Sequence, residues 1–190
     1  MNANQAPKAK IIFVTGGQRS GKSHYAQQLA EQNSNTPVYL ATSRIWDDGH
    51  RQRIERHRRE RGPQWTNIEE EKNISAHDLH GRVILLDCIT LWLTNFFFDN
   101  DSDIDISLKE AQAEFDKLIL QQCTIIIVSN EIGLGGHPSN ELQMKFTDLQ
   151  GWMNQYIAAR AETAVLMVSG IPVTIKGDTR TFASNGLLDI

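Results

Sequence analysis

Residues 16–23 read G-G-Q-R-S-G-K-S, and they follow the apolar run Ile11-Ile12-Phe13-Val14. A chain with this octapeptide in this setting needs a strand, a tight glycine turn and a helix start, in that order. The helix-prone stretch 24–31 supplies the last of these. The spacing fits G-x-x-x-x-G-K-[ST], in which successive backbone N–H groups converge on phosphate oxygens at a helix N-terminus. Gly16, Gly17 and Gly21 are expected to allow that turn. Lys22 would place its ammonium on the β- and γ-phosphates, and Ser23 would ligate Mg²⁺. The alternative is a glycine turn that binds nothing. Lys-Ser in register, behind a strand, favours a nucleoside triphosphate.

A length of 190 residues suits one α/β domain over 1–190, with 1–10 and 177–190 as loose tails. Hydrophobic residues make up 40% and charged residues 22%, enough to bury a core. The net charge of -4 argues against non-specific nucleic-acid binding. Residues 1–10 are polar and do not read as a secretory signal. No apolar run reaches the roughly 18 residues of a membrane span. Cys88 and Cys123 sit beside apolar strands and read as small core residues of a reduced, cytoplasmic protein.

Further strands are expected at 37–41, 82–87, 123–129 and 163–169. They are apolar without alternation, as parallel strands covered on both faces must be. Helical patterns at 91–98, 107–122 and 139–161 separate them, which implies a parallel sheet with right-handed crossovers. Residues 173–176 follow Gly170 and Pro172 and predict a final antiparallel hairpin. Residues 99–105 read as an acidic loop. The stretch from Leu91 to Phe98 is apolar all round, so it is either a central core helix or a subunit interface.

Asp87 closes the strand V-I-L-L-D, where a P-loop protein places the carboxylate that holds Mg²⁺. Glu131 follows the next strand at the same kind of edge, where open α/β sheets bind ligands. It reads equally as a catalytic group or as a loop or cap residue. Residues 50–61 are H-R-Q-R-I-E-R-H-R-R-E-R, with six arginines against two glutamates. A charge run is usually a solvated face. Guanidinium forks also suit phosphates, however, so this predicted helix is a candidate second phosphate-binding element. His57 lies within it and could act as a nucleophile towards phosphorus or simply contact phosphate. His50 and His57 are two turns apart and make a poor metal pair.

The order of G-G-Q-R-S-G-K-S, A-T-S-R-I-W-D-D, R-I-E-R-H-R-R-E-R, W-T-N-I-E, L-L-D-C-I-T and S-N-E-I-G-L-G-G-H-P resembles the adenosylcobinamide kinase/adenosylcobinamide-phosphate guanylyltransferase family. The likeness runs from about Ile11 to Lys176. It implies a RecA-like P-loop sheet and an enzyme of cobalamin biosynthesis. Such an enzyme phosphorylates adenosylcobinamide, then transfers GMP from GTP to the product through a GMP-histidine. The R-I-x-x-H motif selects His57 over His50. The resemblance carries nucleotide contacts onto Thr15, Gly16, Gly17, Gln18, Arg19, Ser20, Gly21 and Lys22. It carries others onto Ala41, Thr42, Ser43, Arg58, Arg59, Glu60, Arg61, Glu69 and Asp87. It further implies ATP and GTP as substrates, Mg²⁺, and a homotrimer.

Two stretches depart from the family pattern. Met144-Lys145-Phe146-Thr147-Asp148 replaces R-x-F-R-D, and residues 133–138 replace G-x-G-I-V-P. A plain small-molecule kinase and a non-catalytic nucleotide-binding protein are the rival readings. Because γ- and α-transfer use different phosphorus atoms, the helix at 50–61 is expected to shift between the two steps.

Overall fold

The computed structural model describes residues 8–44 and 61–178. Seven strands form one sheet in the order β3-β2-β4-β5-β1-β6-β7. They are β1 (Lys10–Gly16), β2 (Val38–Ala41), β3 (Thr66–Glu69), β4 (Val83–Asp87), β5 (Thr124–Val128), β6 (Thr163–Val168) and β7 (Ile171–Lys176). β1 to β6 are parallel, and β7 returns antiparallel beside β6. Among the described residues the α-helices are α1 (Lys22–Asn33), α2 (Ile89–Asp99), α3 (Ile104–Leu118) and α4 (Glu141–Arg160).

Successive strand residues point to opposite faces, and both faces are covered. Ile11, Phe13, Leu40, Ile84, Leu86 and Ile127 lie in one core with Trp92, Phe96, Phe115 and Met153 from α2, α3 and α4. Ile12, Val14, Leu85, Ile126 and Val128 lie in the other with Tyr25, Ala26 and Leu29 of α1. Each fully buried aliphatic chain stabilises the fold by about 1.5–3 kcal/mol relative to exposure. The expected fold class holds: a RecA-like P-loop sheet, mainly parallel, with helices on both faces and a C-terminal hairpin. β5 alone separates the loop-bearing β1 from β4, which ends at Asp87.

Two readings need correcting. β3 was not foreseen, because T-N-I-E lies at the sheet's edge and only Ile68 is even partly buried. The acidic stretch 99–105 is a loop over 100–103 only, with a helix end on either side. Asp99 is the last residue of α2, and Asp103 caps α3 by accepting the Ile106 N–H at 2.9 Å. The choice left open for 91–98 falls mainly to the core: Trp92, Leu93, Phe96 and Phe97 are buried, while Phe98 is 51% exposed. Among the described residues no helix is long and apolar enough to cross a membrane.

Candidate active site

Parallel strands bring their carboxyl ends to one edge, and register fixes what meets there. Glu69, Ala41, Asp87 and Val128 form a line across β3, β2, β4 and β5. β1 pairs Val14 with Val128 and so runs two residues past that line before the loop turns away at Gly16. At Gly16 (φ 153°) a Cβ would stand 2.7 Å from the Met167 carbonyl oxygen and 2.8 Å from Ser20 Oγ. At Gly21 (φ 91°) it would stand 3.2 Å from Gly170 Cα. Both positions therefore require glycine. The expectation for Gly17 is corrected: its Cβ site is open, and the loop's third positive φ falls on Arg19, at 61°.

Gln18, Arg19 and Ser23 are exposed, whereas Ser20 and Lys22 are buried. Ser20 Oγ is enclosed with no hydrogen-bond partner among the described residues. A buried hydroxyl left unpaired costs about 1–3 kcal/mol, and an anion oxygen seated in the loop would relieve that cost. Lys22 is 8% exposed and donates from Nζ to the Gly17 carbonyl at 2.8 Å, curling over the loop. Burial draws its pKa below the ordinary lysine value, opposed by negative charge at Cys88 and Asp87. The Cys88 thiol is itself pushed up to about 12 by burial, so at neutral pH the opposing charge is that of Asp87. Cys123 is pushed up to about 11 by burial; neither thiol is a reactive nucleophile.

Tyr39 is a site residue that the sequence reading missed. Its hydroxyl donates to Asp87 Oδ2 at 3.0 Å. Burial, reinforced by Asp87, holds its own pKa well above the usual tyrosine value. The Arg61 guanidinium lies 3.5 Å from the centre of the Tyr39 ring, and Trp65 meets that ring edge-on at 6.3 Å. Arg61 also donates from Nε and a terminal nitrogen to Asn67 Oδ1, at 3.2 and 3.0 Å. The available signal was an aromatic with a polar tip in an aliphatic strand. In register it opposes Leu85, two residues before Asp87 on the same face of β4.

The loop after β2 is tied down separately. Thr42 is buried, donates from Oγ1 to the Cys88 carbonyl at 3.0 Å, and accepts at its own carbonyl from Asn95 Nδ2 at 2.7 Å. Ser43 Oγ donates to the Arg44 carbonyl at 3.0 Å. Arg44 grips both oxygens of Asp99 at 2.6 and 2.8 Å and reaches Glu71 at 2.5 Å. Glu69 ends β3 on the surface.

Glu131 lies just beyond β5. Its N–H donates to the Gly16 carbonyl at 3.1 Å, and its Oε1 accepts from Thr15 Oγ1 at 2.7 Å and Asn154 Nδ2 at 3.2 Å. The Thr15 hydroxyl thus faces Glu131.

Among the described residues no three His, Cys, Asp or Glu side chains converge as a self-sufficient metal site. Ser23 and Asp87 offer one hydroxyl and one carboxylate. Such a donor set suits a Mg²⁺ ion that takes its other oxygens from a triphosphate and water. His57, Arg58, Arg59, Glu60 and the rest of the predicted 50–61 helix up to Arg61 lie outside the described residues, as does the tail from 179 onward.

Residues 12–175 match the family model described as cobinamide kinase / cobinamide phosphate guanyltransferase. The bifunctional adenosylcobalamin biosynthesis protein CobU of Escherichia coli is 39% identical over 181 residues, covering 87% of this chain and 99% of its own. CobP of Pseudomonas aeruginosa, with the same bifunctional description, is 38% identical over 171 residues, covering 87% and 97%. Among solved structures, the flagellar accessory protein FlaH of Methanocaldococcus jannaschii superposes with a TM-score of 0.50 at 15% identity. That match covers 94% of this chain and 82% of FlaH, and it speaks to fold alone. With its motifs in family order over nearly all of the described chain, this protein belongs to the cobinamide kinase / cobinamide phosphate guanyltransferase family.

Proposed function

We propose that this enzyme phosphorylates adenosylcobinamide with ATP or GTP, and then transfers GMP from GTP to the phosphate it has made. The products are adenosylcobinamide-GDP and pyrophosphate. In the first reaction the loop amides and Lys22 hold the triphosphate; Ser23 and Asp87 would hold a Mg²⁺ ion, which would supply charge neutralisation on the transferring phosphoryl group. In the second, His57 attacks the α-phosphorus, pyrophosphate leaves, and the cobinamide phosphate displaces GMP from the imidazole. Splitting the transfer in two is covalent catalysis. The same reading takes the enzyme to be a cytoplasmic homotrimer.

One observation carries this reading. The phosphate loop and the Asp87 carboxylate lie at one sheet edge, where Asp87 acts electrostatically on Lys22 and is joined to Arg61 through Tyr39, in a chain of this family. Arg61 matters because it is the last of the arginines around His57. The test is to incubate the protein with Mg²⁺ and α-labelled GTP. Wild type should carry acid-labile, base-stable label, and His57→Ala should carry none yet still phosphorylate cobinamide. Equal labelling of both proteins would remove His57 from the mechanism, and no labelling of wild type would leave only a kinase.

A further inference from the structure

We propose that Glu131 is the base of the kinase step, taking the proton from the substrate hydroxyl as that oxygen attacks the γ-phosphorus. The proposal rests on the kinase reading above and assigns a residue that reading left without a role. β5 lies between the loop-bearing β1 and β4 with its Asp87, so the residue leaving β5 stands between the phosphate cradle and the Mg²⁺-side carboxylate. Glu131 is bound to the loop's own strand through the Gly16 carbonyl and Thr15 Oγ1. Asp87, by contrast, is engaged by Tyr39, and Glu69 lies three strands further out.

Among the described residues, both hydrogen bonds that reach the Glu131 carboxylate end on Oε1. Asn154, which makes one of them, is itself fixed. Its Oδ1 accepts from Ser129 Oγ at 2.6 Å and from Gln150 Nε2 at 3.0 Å, and its Nδ2 also donates to the Asn130 carbonyl at 3.1 Å. Ser129, Gln150 and Asn154 are all buried. A buried polar network of this kind favours one rotamer of the carboxylate, and the proton transfer falls to Oε2, the oxygen those two bonds leave open.

The step balances without another reagent. The hydroxyl oxygen forms a bond to the γ-phosphorus, and the bond from that phosphorus to the bridging oxygen breaks. Its electron pair leaves with the nucleoside diphosphate, and the hydroxyl proton passes to Glu131 and then to water. The two guanylyl steps need no such base. A neutral imidazole attacks with a lone pair, and the phosphate that displaces it is already ionised. Glu131 therefore serves one activity of the two.

Glu131→Gln tests this, because the amide oxygen can still accept from Thr15 and Asn154 while basicity is lost. Kinase kcat should fall by about 10²–10⁴-fold, the usual worth of a positioned general base. The nucleotide KM, the melting midpoint, the labelling of His57 by α-labelled GTP and GMP transfer to supplied cobinamide phosphate should all be preserved. Glu131→Ala should in addition lower the melting midpoint, since it strands Thr15 and Asn154. A Glu131→Gln kinase rate close to that of wild type, or equal losses in both activities, overturns the assignment. A wild type with no kinase activity overturns the underlying reading instead.

Discussion

The phosphate loop and the segment that leaves β2 and returns at Arg61 reach the same sheet edge by unlike means. The loop rises from β1, a strand buried on both faces at the middle of the molecule, and its shape is set by backbone contacts that tolerate no side chain at Gly16 or Gly21. The described ends of the segment, 42–44 and Arg61, are held by side chains instead, Thr42 in the interior and Arg44 and Arg61 nearer the surface. Arg44 holds Asp99 and Glu71 at its start, and Arg61 lies on Tyr39 at its end. A densely packed anchor gives the loop one geometry. Ion pairs and a cation–π contact at partly exposed positions are each worth about 1 kcal/mol, so these contacts hold Arg44 and Arg61 less firmly than the core holds the loop. On the proposed function, the loop serves the γ-phosphoryl step, and Arg61 adjoins the stretch that carries His57.

Three substitutions set the two regions apart, in falling order of effect. Lys22→Ala removes a charge from the loop and should cost both activities on the order of 10²–10³-fold, as loss of a preorganised electrostatic contact does. Steady-state rates of both half-reactions measure this, and a loss confined to one would mean that the loop serves one reaction only. Arg61→Ala removes the guanidinium from the Tyr39 ring. It should cost GMP transfer roughly three- to tenfold, the worth of one cation–π contact, with the kinase rate nearly unchanged. Parallel assays of labelling and phosphorylation show the split; equal losses would dissolve the distinction.

The smallest effect belongs to Asp99→Asn. The Arg44 hydrogen bonds hold the Asp99 carboxyl well below its usual value of 3.8. A depressed carboxyl contributes stability only where it is ionised, so its contribution is present above that value and fades as pH falls through and below it. At pH 7 the variant should melt at most about 2–4 °C lower than wild type, because the pair is partly exposed. The gap should close as the pH is taken down through 3.8 and below. A gap that persists in acid would assign the effect to packing.

What the sequence disclosed follows the same division. Strands β1, β4, β5 and β6 lie in apolar runs because both faces are buried, and such runs are visible without a structure. The loop and Asp87 were legible from motif and strand end. β3 was not, since an edge strand with three exposed residues leaves no apolar trace. Tyr39 was invisible for another reason. Its importance lies in a diagonal contact to Asp87 across β2 and β4 and in a ring that Arg61 covers, and neither follows from spacing along the chain. Arg19 shows that a glycine motif does not say which of its members carries the turn. Of the two family departures, Thr147 lies beside Gly133, with 3.6 Å between its methyl and a Cβ built there, so both changes meet on one patch. Phe146 in that patch still packs against Phe97 at 5.4 Å.

The β6–β7 turn packs against the phosphate loop where Gly170 meets Gly21. The Gly170 N–H donates to the Ser20 carbonyl at 3.0 Å, so the turn joining β6 to β7 forms one wall of the phosphate loop. Nearly the whole polypeptide separates these residues. During synthesis the octapeptide leaves the ribosome well before the turn that walls it. The nascent chain therefore cannot complete the cradle until the β6–β7 hairpin has also emerged.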